Sequence, residues 1–78
     1  MSPSPRRRAK VPELVALGGR IREARQRAGT TQAELAEKLS LSIAYISLIE
    51  RGGRNPPYTT VLQIAKALGV APSRLVAD

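Results

Sequence analysis

The sequence predicts an all-α fold, a compact bundle of about five short helices. Apolar residues recur at helical spacing in short segments and nowhere alternate as they do along a half-buried strand. Glycines, serines and an Asn-Pro-Pro run punctuate those segments at their ends. The 78 residues suit one small domain with a modest core.

Residues 1–10 stand apart. Arg6, Arg7, Arg8 and Lys10 supply +4 of the net +7, Pro3 and Pro5 oppose a helix, and nothing there is large and apolar. A flexible basic arm is expected, serving either to lie along a polyanion or as a solvated tail. The domain proper is read as 11–78. Pro12 suits a first helical position. Over residues 13–28, Leu14, Leu17, Ile21, Ala24 and Ala28 share one face, with Arg20, Arg22, Glu23, Gln26 and Arg27 opposite. Gly29 is the expected left-handed cap. Gly18 and Gly19 are poor helix formers, so the first turn or two of this helix is expected to fray or bend.

Thr31-Gln32-Ala33-Glu34 has the form of a capping box. A second helix then runs to about Leu39 with Leu35, Ala36 and Leu39 inward. Ser40-Leu41 makes a tight connection, and Ser42 caps a third helix, 43–51. Gly52-Gly53 stops it, and Asn55-Pro56-Pro57 is extended. A fourth helix, about 58–68, turns Val61, Ile64, Ala65 and Leu68 inward and ends at Gly69. Pro72 opens a last short helix through Leu75 and Val76.

Composition excludes much. With no cysteine and no histidine, the chain lacks any thiolate site, the commonest general base and the commonest zinc ligand, and its six acidic residues are scattered. No Gly-rich phosphate loop is present. Neither an enzyme, a metal site nor a cofactor is expected, and no small-molecule ligand is evident. No apolar run is long enough for a transmembrane helix, no signal peptide is discernible, and no helix has the form of a membrane-surface anchor. A cytoplasmic protein is expected. Thirteen basic against six acidic residues point to a polyanionic partner.

Two short helices joined by a tight turn in a basic helical domain suggest a helix-turn-helix, about residues 32–51. The residues sharpen this reading. Thr31-Gln32-x-x-Leu35-Ala36, Tyr45-Ile46-Ser47-x-Ile49-Glu50-Arg51-Gly52, Asn55-Pro56 and Ile64-Ala65-x-Ala67-Leu68-Gly69-Val70 occur in order. With Ile21-Arg22-x-x-Arg25 they resemble the Cro and lambdoid-repressor (XRE) family over roughly residues 14–76. There are three departures. Ser40 stands where that family usually has glycine. Pro57 occupies the usual Ser/Thr cap of the fourth helix, which leaves Thr59 or Thr60 as candidate caps. Ile43, Ala44 and Leu48 stand where relatives often carry polar base-reading side chains.

The resemblance implies double-stranded DNA as partner, with the third helix in the major groove. Gln32, Arg54 and Asn55 would hold phosphates. Arg51 would either cap its helix or join them, and Tyr45 would pack its ring while its hydroxyl reaches outward. Ser42, Ile43, Ala44, Ser47 and Leu48 would face the bases. Arg25 lies about 40° from the centre of the first helix's apolar stripe, and Glu50 about 40° from Ile46. Neither charge is expected to be buried alone, so they are expected to pair, as the resemblance also implies.

A homodimer on a palindromic operator is expected because one short helix reads few base pairs. Leu75 and Val76 are its candidate interface, one filling the core and the other left for a partner. The functional expectation is a small transcriptional regulator resembling a restriction–modification controller or a phage or plasmid repressor. The alternatives are an antitoxin gripping a toxin protein and the DNA-binding domain of a larger regulator.

Overall fold

A computed structural model describes residues 11–76, and over that span five helices follow one another: α1 (Pro12–Arg27), α2 (Gln32–Leu39), α3 (Ile43–Glu50), α4 (Tyr58–Leu68) and α5 (Pro72–Leu75). There is no strand among the described residues. The expected basic arm, residues 1–10, lies outside them, as do residues 77–78. α1 packs on α3, α4 and α5, α2 bridges α3 and α4, and α5 closes against α4. Ile21, Leu35, Ile46, Ile49, Ile64 and Leu75 are fully enclosed at the centre, with Ala36, Val61, Ala65 and Leu68 around them. Helices of eight residues, such as α2 and α3, are marginal alone in water, so this shared core holds them.

The first four helices stop in the same way. After each, one residue turns left-handed; its N–H bonds back three residues, and the next N–H bonds back five. Gly29, Gly52 and Gly69 take that position without a Cβ penalty. After α2 the position falls on Ser40, at φ 56° and ψ 41°, with Ser40 N–H on the Glu37 carbonyl at 3.2 Å and Leu41 N–H on that of Ala36 at 2.9 Å. The turn where serine departs from glycine therefore keeps the glycine geometry, at a steric cost.

At the helix starts, the Thr31 hydroxyl accepts from Glu34 N–H at 3.0 Å while the Glu34 carboxylate accepts from Thr31 N–H at 2.9 Å, a complete capping box. Ser42 Oγ accepts from Tyr45 N–H at 3.0 Å and opens α3.

Three expectations need correction. Gly18 and Gly19 neither fray nor break α1, which is continuous. Gly18 is buried because α1 and α3 approach there: a Cβ on it would meet the Ile49 carbonyl and lie 2.6 Å from the Glu50 carbonyl oxygen. Neither Thr59 nor Thr60 caps α4. Both lie inside its first turn, no side chain caps it, and the Pro57 carbonyl receives the first intrahelical bonds, from Thr60 and Val61. Finally, Ala28 is exposed, because α1 ends at Arg27 and Ala28 already belongs to the turn.

Candidate nucleic-acid interface

The relative placement of α1, α2 and α3 converges on one carboxylate. Glu50, at the last turn of α3, has a side chain only 2% exposed. Arg25 Nε donates to its Oε2 at 2.6 Å and Nη2 to its Oε1 at 3.0 Å, a two-pronged pair from α1. Gln32 Nε2, from the first turn of α2, donates to the same Oε1 at 2.9 Å. Arg25 Nη1 donates to the Thr30 carbonyl at 2.9 Å, in the turn between α1 and α2. One acceptor group thus ties the ends of three helices together. Hydrogen bonding to Glu50 raises the Arg25 guanidinium above its ordinary pKa, against the lowering effect of burial. It stays charged throughout the accessible pH range.

α2 and α3 are separated by three residues, Ser40–Ser42, and pack on each other. Ile46, Ile49 and Glu50 turn inward, which leaves Ser42, Ile43 and Ala44 exposed at the start of α3. Ile43 is 52% exposed, although its wheel position lies close to the inward face. Ser47 is half-buried. Leu48 is not the freely exposed side chain its outward wheel position suggests. It is half-buried, because the chain after α3 folds back, with Gly53 N–H on the Leu48 carbonyl at 2.8 Å and its Cδ2 against Gly53. Tyr45 is half-buried and packs against the core.

Around this helix, Gln32 is half-buried and its amide N–H is engaged on Glu50. Arg51 folds its Nε back to the Ser47 carbonyl at 3.3 Å. Arg54 and Asn55 are exposed in the loop that follows. Tyr58 was not singled out from the sequence, yet at 67% it is the most exposed large apolar side chain described and stands on the opening turn of α4 next to that loop. An aromatic directly after Pro56-Pro57, off the apolar stripe of α4, was the available signal. Gly18 was missed as a positional determinant, and only its contact partner, two helices away in sequence, reveals it.

On α5, Leu75 is 1% exposed and belongs to the core, so it is withdrawn from any interface between copies, whereas Val76 is 49% exposed. Val76 borders a shallow groove with Pro12, Leu14, Leu17 and Leu75. No cluster of residues suited to a metal ion occurs among the described residues, and no described helix is long and apolar enough to cross a membrane.

The Helix-turn-helix family HTH_3 matches residues 21–75. The immunity repressor of Bacillus phage phi105 is 40% identical over 62 residues, which are 80% of this chain and 43% of that protein. The chain therefore spans less than half the length of that relative. Among solved structures, the restriction–modification controller protein C.AhdI from Aeromonas hydrophila is 37% identical with a TM-score of 0.79, over 83% of this chain and 98% of that one. The biofilm master regulator SinR in complex with DNA is 33% identical with a TM-score of 0.70, over 76% and 95%.

Proposed function

The chain belongs to the HTH_3 helix-turn-helix family, and from that premise we propose that it is a transcriptional regulator that binds double-stranded DNA by sequence. The observation that carries this reading is the presentation of α3. Its first turn is open to solvent, its far end is fixed by the Arg25–Glu50–Gln32 network, and a loop bearing Arg54 and Asn55 follows it. A rigidly held helix end with exposed side chains beside basic and amide groups is what major-groove reading requires.

Ser42, Ile43, Ala44, Ser47 and Leu48 face the base edges. Arg54, Asn55, Arg51 and the Tyr45 hydroxyl contact phosphates, and the exposed Tyr58 joins them. Gln32 serves its phosphate through the backbone amides of the first turn of α2, while its side-chain N–H steadies Glu50. Two copies pair through the surface around Val76, so the operator is a palindrome. Among regulators, the likeness to C.AhdI and to the phi105 immunity repressor favours a restriction–modification controller or a phage-type repressor, acting in the cytoplasm.

Selection of bound duplexes from a random DNA pool tests the reading. The expected product is a palindrome whose half-sites are centred about one helical turn apart. Recovery of unrelated sequences with no enrichment over the starting pool would refute sequence-specific binding.

A further inference from the structure

Two of the side chains open at the start of α3 are unusual for a base-reading surface: they are apolar. Ile43 and Ala44 are exposed, and Leu48, one turn beyond Ala44, is half-buried beside Gly53. Some polar groups nearby also make bonds within the domain. Ser42 Oγ accepts the Tyr45 N–H, Gln32 Nε2 is held by Glu50, and Arg51 Nε lies on the Ser47 carbonyl. The side-chain donors that α3 and its cap carry are hydroxyls, on Ser42, Tyr45 and Ser47. The major groove presents one apolar feature, the C5 methyl of thymine. An isoleucine left half in water gains by burial against that methyl, and Ala44 is small enough to let the helix approach closely.

We infer that Ile43, supported by Ala44, selects thymine by its methyl group, an apolar contact that works beside the hydroxyls of Ser42 and Ser47. The inference rests on the DNA-binding reading above and names the chemistry of its target. Ile43 is the specificity-determining residue, and Leu48 borders the same apolar strip.

The test uses the full chain and a half-site duplex recovered by selection. Each thymine is replaced in turn by uracil, which lacks only the methyl. One substitution per half-site is expected to weaken wild-type binding about fourfold, the worth of one buried methyl-sized group. Ile43→Ala is expected to bind the thymine and uracil duplexes equally while melting like wild type, since Ile43 is exposed. At that position, 5-methylcytosine is expected to bind the wild type better than cytosine by a similar factor. Uracil tolerated at every position, with discrimination against unrelated sequence intact, would overturn methyl reading and leave the DNA-binding reading standing. Wild-type sensitivity to uracil retained in Ile43→Ala would overturn the role of Ile43 in the same way. No selected sequence at all would instead overturn the DNA-binding reading, and the inference with it.

Discussion

Adjacent glycines in the middle of α1 respond in opposite directions to the same substitution. Gly19 is exposed, and a Cβ there meets nothing within 4 Å. Gly19→Ala removes the helix-propensity penalty of glycine and stabilises by about 1 kcal/mol. At Gly18 a Cβ is driven into the carbonyls of Ile49 and Glu50, which are backbone and cannot rotate aside. Overpacking of that kind costs about 1–3 kcal/mol, and a backbone obstacle puts it at the upper end. The propensity gain offsets about 1 kcal/mol, leaving a net loss of about 2 kcal/mol. For a domain this small, that lowers Tm by roughly 8–16 °C, whereas Gly19→Ala raises it by roughly 4–8 °C. Because the obstructing carbonyl of Glu50 belongs to the residue that binds Arg25, Gly18→Ala should also loosen α3 and weaken DNA binding beyond what unfolding alone removes. Thermal melting by circular dichroism, paired with DNA titration well below Tm, reads both effects. If Gly18→Ala melts at or above wild type, α1 and α3 are not in the close contact described, and the reasoning fails.

Other expectations follow from named contacts. Glu50→Ala leaves Arg25 and the Gln32 amide without their acceptor and should cost about 3–5 kcal/mol, so denaturant unfolding should find the variant barely folded; a wild-type midpoint would mean the pair contributes nothing. Ser40→Gly relieves a left-handed serine and should stabilise by about 0.5–1 kcal/mol, since part of the steric gain is lost to the greater freedom of glycine in the unfolded chain. Unchanged or lowered stability would show that Ser40 is not strained. Val76→Asp should give folded monomers by sedimentation that bind a full palindrome more weakly than wild type does; wild type sedimenting as a monomer even on DNA would remove the dimer.

Local chemistry was legible in the sequence because its causes are local. Thr31 and Glu34 form their capping box, Ser42 caps α3, and Gly29, Gly52 and Gly69 turn left-handed, since each depends on residues within one helical turn. The apolar stripes placed Ile21, Leu35, Ile46, Ile49 and Ile64 inside for the same reason: helical periodicity is a property of the segment itself. Tertiary packing decided the rest. Whether Gly18 bends its helix or admits a neighbour depends on Ile49 and Glu50 of α3, more than thirty residues away along the chain. Leu48 points outward on its wheel but is half-buried beside the chain returning at Gly53, and Ile43 points nearly inward yet is 52% exposed. Gln32 reads as a surface phosphate ligand until Glu50 is brought within 2.9 Å of its amide. A wheel gives the direction of a side chain from its own helix axis; what stands in that direction is set by the packing of the other helices, which no single segment encodes.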